Sequence, residues 1–180
     1  MLIDRKFSTL LVVDVQERLL PAIHEAQRVL DNTIWLTRLA QRLGVPVAAS
    51  EQYPRGLGHL HADLRALLAP ECIAEKLHFS CAAAQCLVNL PGSDRLQVLL
   101  CGIESHVCVL QTALELRWQG KEVFLVADAV SSRNPADKDL ALARMRDHGV
   151  EIVSREMVAF EWLRQAATDE FREISTNFLR

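Results

Sequence analysis

The chain has 180 residues, half of them hydrophobic, which is enough to bury the core of one domain. Its formal net charge is only -3, and its lysines and arginines are scattered without a cluster. Neither nucleic acid nor an anionic membrane surface is therefore an expected partner. We expect a single domain over residues 1–180 whose partner is a small molecule or another protein.

The N-terminal segment and the cysteines bear on the compartment. Residues 1–16 hold an apolar run that is shorter than a membrane span, is interrupted by Asp14 and has no small-residue cleavage site. The cysteines are odd in number and include no C-x-x-C pair, which argues against a disulfide framework and a structural zinc site. We expect a cytoplasmic protein with reduced thiols. The five cysteines are Cys72, Cys81, Cys86, Cys101 and Cys108.

Apolar runs alternate with helical patterns along the whole chain, which predicts a parallel or mostly parallel sheet covered on both faces. Neither a G-x-G-x-x-G motif nor a Walker A motif occurs, so nucleotide binding has little support. Strands are predicted at Ser8–Val13, 45–49, 72–75, 96–100, 123–127 and 150–153. Helices are predicted at 26–43, 62–68, 82–89, 106–119 and 136–148, with further helical pieces within 155–179.

Cys108 lies where the apolar strand at 96–100 gives way, through the turn at 102–105, to a helical pattern. Unpaired N–H groups and the positive end of the helix dipole at such a helix start favour a thiolate over a thiol. The same N–H groups could hold a developing oxyanion. Cys108 is thus either a nucleophile or a buried cysteine that acts as a small hydrophobe.

Two further strand ends carry candidate residues. Asp14 directly follows the first strand, at the edge where open α/β sheets bind ligands, although an Asp there could simply start a turn. Lys76 ends the third strand and would share that edge, unless it is an ordinary surface charge. Gln16 either hydrogen-bonds a ligand or ties down its loop.

His59 and His61 lie in a loop rich in proline and glycine after the second strand. Two histidines separated by one residue, with no third ligand at a recognisable spacing, are typical of solvated side chains rather than of a metal site. The C-terminal segment poses a different question, because its large apolar residues pack either across the domain or against another subunit. They are Phe160, Trp162, Leu163, Phe171, Ile174 and Phe178.

The residues at the three strand ends, and their order, resemble those of the isochorismatase-like (cysteine hydrolase) family, which includes nicotinamidases and N-carbamoylsarcosine amidases. The matching pieces are VVDVQ at 12–16, EKLHFS at 75–80 and GIESHVCVLQTA at 102–113. The loop SEQYPRGLG at 50–58 is similar to that of the subgroup called isochorismatase domain-containing proteins. The resemblance covers nearly the whole chain.

This resemblance implies a three-layer α/β/α sandwich around a six-stranded, mostly parallel, Rossmann-like sheet. It implies a catalytic triad of Asp14, Lys76 and Cys108, with the N–H groups of Glu104 and Cys108 as the oxyanion hole and a cis peptide at Ile103–Glu104. Substrate-lining candidates are Gln16, Tyr53, Phe79 and His106.

One departure concerns metal. Nicotinamidases bind a metal through an Asp-x-His pattern after the second strand, where this chain has Ser50, Glu51, Gln52 and Tyr53. We therefore expect neither a bound metal nor a cofactor.

The predicted function is hydrolysis of a C–N bond of a small amide or ureide through a Cys108 thioester. We also expect a homo-oligomer, because the aromatic tail offers more apolar surface than one small sheet needs. The alternative is a binding, scaffolding or redox-sensing protein that retains the fold. A third possibility, hydrolysis of isochorismate at its vinyl ether, is disfavoured because isochorismatases generally lack the nucleophilic cysteine.

We further predict that Cys108 is the most reactive of the five thiols at neutral pH. If Lys76 and the helix dipole together outweigh the repulsion from Asp14, the pKa of Cys108 lies well below the free-cysteine value of about 8.5 and the thiol is substantially ionised near pH 7. Cys72, Cys81 and Cys86 should keep ordinary or raised pKa values, since none combines a helix start with a carboxylate and an ammonium.

Overall fold

The computed structural model describes residues 1–179 and contains one six-stranded sheet. Its strands are β1 (Ser8–Val13), β2 (Val47–Gln52), β3 (Ile73–Lys76), β4 (Gln97–Ile103), β5 (Glu122–Ser131) and β6 (Glu151–Val153). They lie in the order β3-β2-β1-β4-β5-β6, and every neighbouring pair is parallel. The carboxyl ends of all six strands therefore meet at one edge of the sheet.

Helices cover both faces of this sheet. They are α1 (Ala26–Arg42), α2 (Pro54–Leu57), α3 (Ala62–Arg65), α4 (Leu110–Trp118), α5 (Pro135–Asp147), α6 (Arg155–Leu163) and α7 (Asp169–Phe178). Short 3₁₀ turns occur at Leu20–Ala22 and Pro70–Cys72, and a π-helical turn at Ser105–Val109 leads into α4. The predicted three-layer α/β/α sandwich is confirmed. None of the helices in residues 1–179 is both long and apolar enough to cross a membrane.

Alternation along the central strands divides the core into two sides. In β1, Leu10 and Val12 face one side, whereas Leu11 and Val13 face the other. The first side is covered by α1, α6 and α7, and the second by α4, α5 and residues 81–90. A fully buried strand must be apolar on both faces, which is why the strands read as continuous apolar runs in the sequence.

Side-chain caps mark the starts of three C-terminal helices. Asn134 accepts a hydrogen bond from the N–H of Ala136 at the start of α5, Ser154 caps α6 and Thr168 caps α7. Such caps satisfy N–H groups that have no partner within the helix. The boundaries of these elements are therefore local properties of the sequence.

Several predicted elements differ from the structure in their bounds. β4 continues to Ile103 and β5 to Ser131, each beyond its predicted end, and α3 ends at Arg65 rather than at residue 68. The second strand starts at Val47 rather than at residue 45 and continues through Gln52, because residues 49–52 pair with β3. The helix expected at 106–119 begins as a π-helical turn. Residues 82–89 form hydrogen-bonded turns instead of a helix, and Gln85 adopts a left-handed φ of 54° that a helix does not accommodate.

The C-terminal aromatic segment packs mainly within the domain. Trp162 and Ile174 are buried in the core beneath α1. The Phe178 ring contacts the edge of Trp35 with 5.9 Å between ring centroids, and the Arg155 guanidinium lies 4.8 Å from the Trp35 centroid. Most of this segment therefore packs across the domain rather than being left free to pack against another subunit, while Phe160 remains half-exposed.

At Gly102 the backbone of β4 lies too close to the backbone of β1 to leave room for a side chain. Gly102 lies where the β4–β5 register shifts, and its φ is +116°. A Cβ at this position would stand 2.1 Å from the carbonyl oxygen of Val13, which belongs to a strand that cannot move aside.

We expect Gly102→Ala to lower the free energy of unfolding by more than about 3 kcal/mol, since steric overlap adds to an unfavourable φ. Gly120→Ala is the matched control: its φ is +87°, but nothing lies within 4 Å of a Cβ there. The control should lose only about 1 to 2 kcal/mol. Urea unfolding measures both variants, and equal losses would contradict the argument.

Candidate active site

Asp14 and Lys76 form an ion pair at the carboxyl edge of the sheet. Asp14 follows β1, whereas Lys76 ends β3, and β2 lies between these two strands. The Lys76 ammonium reaches across β2, so that its Nζ lies 2.7 Å from Asp14 Oδ2. Both side chains are fully buried. Burial is the largest single effect on the pKa of Lys76 and lowers it, but the charge and hydrogen bond of Asp14, together with the charges of Cys81 and Cys108, make the net direction upward.

Two residues of β2 hold this ion pair in place, and the sequence analysis missed both. The Ser50 hydroxyl donates to Asp14 Oδ1 at 2.7 Å. Lys76 Nζ donates to Gln52 Oε1 at 2.6 Å and to the carbonyl oxygen of Phe79 at 3.0 Å. A signal was present, because Ser50 and Gln52 are two residues apart at the end of a buried strand and so point to the same face.

Cys108 lies in the π-helical turn that follows β4. The charges of the Asp14 carboxylate and the Lys76 ammonium both act on the pKa of its thiol. The structure therefore brings Asp14, Lys76 and Cys108 together in one buried cluster, with Cys108 on the same side of the sheet as α4. A carboxylate, an ammonium and a thiol, the group types that nucleophilic catalysis uses, share this site.

The prediction of a lowered pKa at Cys108 was wrong. Burial, followed by the negative charge of Asp14, raises the pKa of this thiol from 9.0 to about 12, and Lys76 only partly offsets the rise. The resting side chain is a thiol.

The other cysteines also differ in part from expectation. The pKa of Cys81 is raised, first by its hydrogen bond with Cys86 and then by burial. The same hydrogen bond lowers the pKa of Cys86, contrary to prediction. Burial raises the pKa of Cys72, and it raises that of Cys101 to about 12.

Gln16 ties down the loops around the site. It is fully buried, and its Nε2 donates to the carbonyl oxygens of Gln52 at 3.0 Å and Gly58 at 2.6 Å. Its Oε1 accepts from the N–H of Gln52 at 2.7 Å. Of the two roles that the sequence suggested for Gln16, its amide serves to tie down the loop rather than to bind a ligand.

A pocket of about 370 Å³, a size suited to a small molecule, opens at the end of β3; Lys76 is among its lining residues, whereas Asp14 and Cys108 are not. Tyr53 is among its lining residues, together with Pro54, Arg55, Glu75 and Leu77. Phe79 is half-exposed nearby, and its carbonyl oxygen faces Lys76. Two of the substrate-lining candidates therefore stand close to the ion pair.

The turn before Cys108 is held from the side of β5. The Ile103–Glu104 peptide bond is cis. The Glu104 carboxylate accepts from both the N–H and the Nε of Arg133, at 3.0 Å each. His106 Nδ1 lies 2.9 Å from the Ser132 hydroxyl oxygen, and this candidate does not line the pocket beside Lys76.

His59 and His61 do not converge. His59 Nδ1 lies 2.9 Å from Oε2 of the buried Glu51, while His61 caps α3. Within residues 1–179, no three His, Cys, Asp or Glu side chains are grouped so as to hold a metal ion.

The doubly wound parallel sheet and the polar cluster at its carboxyl edge define a Rossmann-like α/β protein. The model of the isochorismatase domain family matches residues 8–157. This chain belongs to the isochorismatase family and has the family's hydrolase fold.

Relatives and solved structures agree with this assignment. Isochorismatase domain-containing protein 2A of Mus musculus is 38% identical over 169 residues, which cover 93% of this chain and 80% of the relative. Isochorismatase family protein 1B of Dictyostelium discoideum is 36% identical, with coverages of 93% and 84%.

The structure of the MAR1 ribonuclease of Caenorhabditis elegans is similar to this chain, with a TM-score of 0.89, 32% identity and coverages of 100% and 93%. The Escherichia coli YcaC gene product, described as an octameric hydrolase of unknown specificity, has a TM-score of 0.91. It is 22% identical, with coverages of 99% and 91%.

We expect iodoacetamide to alkylate Cys108 at a rate that rises about tenfold per pH unit from pH 7 to pH 10, because the thiolate fraction rises in that proportion below the pKa. Asp14→Asn should speed the reaction at any given pH, since the carboxylate raises the thiol pKa. Lys76→Met should slow it, since the ammonium lowers that pKa. Peptide mass mapping measures the rates.

Asparagine suits position 14 because Asp14 has a left-handed φ of 51°, which Asn tolerates. Circular dichroism serves as the control for folding in both variants. An alkylation rate that levels off near pH 7 would contradict the raised pKa.

Proposed function

We propose that this protein is a cysteine hydrolase that cleaves a C–N bond of a small amide or ureide. The observation that carries the proposal is the position of the Cys108 thiol beside the buried Asp14–Lys76 ion pair, whose two charges act on its pKa. Such a cluster supplies a nucleophile, a proton acceptor and a fixed positive charge away from bulk water. A purely structural cysteine needs none of these.

In the proposed first step, the thiol loses its proton to the Asp14 carboxylate as the sulfur attacks the carbonyl carbon. A raised thiol pKa makes this transfer necessary, because little thiolate exists in the resting site. Lys76 places a positive charge 2.7 Å from the carboxylate that accepts the proton. The N–H groups of Glu104 and Cys108 are proposed to hold the resulting oxyanion.

In the second step, protonated Asp14 gives its proton to the leaving nitrogen, and the C–N bond breaks to leave a thioester on Cys108. Asp14 then takes a proton from water, whose oxygen attacks the thioester carbon. The acid is released and the thiol regains its proton. No group other than water is consumed, so the cycle balances without a cofactor.

The pocket beside Lys76 supports a small substrate rather than a polymer. It holds about 370 Å³ and includes both Arg55 and Glu75, so its charges are mixed. The Caenorhabditis elegans neighbour is named a ribonuclease, but a net charge of -3 without a basic cluster does not favour RNA as the substrate of this chain.

We expect ammonia or amine release from a panel of small amides and ureides by the wild type. Cys108→Ala should show none, because the nucleophile is absent. Asp14→Asn should lose about 10²- to 10⁴-fold in turnover even though it alkylates faster, since alkylation needs only the anion whereas turnover needs a proton carrier. Coupled ammonia detection measures the rates.

Cys72→Ala is the matched control and should keep full turnover, because Cys72 lies outside the cluster. Identical background traces from wild type and Cys108→Ala would instead favour a binding or redox-sensing protein that retains the fold.

We also propose that the protein assembles as a homo-oligomer. Large apolar side chains away from the packed C-terminal segment remain exposed, among them Trp118 at 88% and Leu77 at 75%. Burying them against a second copy would remove this surface from water. The Escherichia coli neighbour is an octamer, but at its low identity it supports the fold alone.

Light scattering should therefore give a mass of at least twice 20.2 kDa at micromolar concentration. Trp118→Glu should lower that mass if its face is an interface, because a buried unpaired charge is costly. A wild-type mass of one chain would refute the assembly.

A further inference from the structure

Two further cysteines, Cys81 and Cys86, lie on the same side of the sheet as Cys108. The N–H of Cys86 donates to the carbonyl oxygen of Cys81 at 2.9 Å, and the N–H of Gln85 donates to that of Ala82 at 3.0 Å. With Gln85 at a φ of 54°, these two bonds form a Schellman motif. A side-chain contact between the first and last residues frequently accompanies that motif, and here both residues are cysteines of the same buried cluster.

The backbone hydrogen bond also limits how far apart the two residues can be. With standard bond lengths, a bond of 2.9 Å from the N–H of Cys86 to the oxygen of Cys81 holds their Cα atoms within about 6.8 Å. Disulfides close over Cα separations of about 4.4–6.8 Å. Two adjacent thiols on a turn-rich segment can therefore be bridged without moving any strand or helix.

The two thiols are not equivalent. Cys81 is fully buried, whereas Cys86 retains a small exposed area. The hydrogen bond between them lowers the pKa of Cys86 and raises that of Cys81. Oxidants of the peroxide class must reach the sulfur that they attack, so the partly exposed Cys86 is the thiol that reacts first.

We propose that Cys81 and Cys86 are a peroxide-sensitive pair that closes an intrachain disulfide. The Cys86 sulfur attacks one peroxide oxygen, the O–O bond breaks, and a sulfenic acid and water form. The Cys81 sulfur then displaces the sulfenic oxygen as a second water. One peroxide is reduced, two thiols are oxidised, and the disulfide remains.

The pair is connected to the ion pair through Ser50. The Ser50 hydroxyl donates to Asp14 Oδ1 at 2.7 Å and also acts on the pKa of the Cys81 thiol. A disulfide removes the Cys81 proton and redirects its sulfur toward Cys86, which changes the surroundings of the Ser50 hydroxyl. This consequence, which rests on the proposed function, is a reversible fall in turnover.

The experiment treats the folded protein with increasing hydrogen peroxide, blocks free thiols with N-ethylmaleimide under denaturing conditions and digests it with trypsin. Both cysteines lie on the peptide of residues 77–95. That peptide should lose two hydrogens and take up no maleimide, and dithiothreitol should restore two maleimide additions. At the same peroxide dose the Cys108 thiol should stay unoxidised and should therefore still take up maleimide.

Cys86→Ala should abolish the two-hydrogen loss, whereas Cys72→Ala should leave it unchanged. Turnover should fall in proportion to the disulfide fraction in the wild type, recover with dithiothreitol, and stay constant in Cys86→Ala. If peroxide adds oxygen to Cys72 or Cys108 while residues 77–95 keep both thiols, the proposal of a peroxide-sensitive pair is refuted. A disulfide that leaves turnover unchanged would overturn its connection to Asp14.

The peptide masses are read without any substrate. A protein that cleaves no amide but forms the disulfide would therefore refute the proposed function and still support the pair.

Discussion

The buried ion pair between Asp14 and Lys76 is the interaction on which the site depends. A charged group without a partner in the interior costs several kcal/mol, so each of the two requires the other and further hydrogen bonds as well. Ser50 and Gln52 of β2 provide these bonds, and the Phe79 carbonyl adds another. The ends of β1, β2 and β3 must consequently lie side by side, in the order that the sheet has.

This arrangement explains why the nucleophile rests as a thiol. The environment that pairs a carboxylate with an ammonium places nearly balanced charges beside Cys108, and burial then decides the direction of its pKa. The site therefore holds a proton acceptor next to a neutral sulfur rather than a permanent thiolate. A neutral thiol is also protected from chance oxidation, whereas Cys86, whose pKa is lowered, is the thiol open to peroxide.

Much of the fold is predictable from local sequence. Continuous apolar runs indicate strands that are buried on both faces, and capping residues mark helix starts, as Asn134 does for α5. Polar residues directly after an apolar strand run point to the carboxyl edge, which is how Asp14 and Lys76 were identified. Each signal depends on a few neighbouring residues, because secondary structure has short sequence periods and side-chain caps act over three or four positions.

By itself, then, the sequence determined the order of strands and helices, the sandwich class and the candidate residues Asp14, Lys76 and Cys108. Only the tertiary structure decided the raised pKa of Cys108, the supporting roles of Ser50 and Gln52, and the turns that replace a helix at 82–89. The first two of these properties depend on strand order, register and burial, which join residues 24 to 94 positions apart, such as Lys76 with Gln52 or Cys108 with Asp14. No local pattern carries the electrostatic balance at Cys108, since it is the sum of desolvation and of two charges at separate strand ends, those of Asp14 and Lys76.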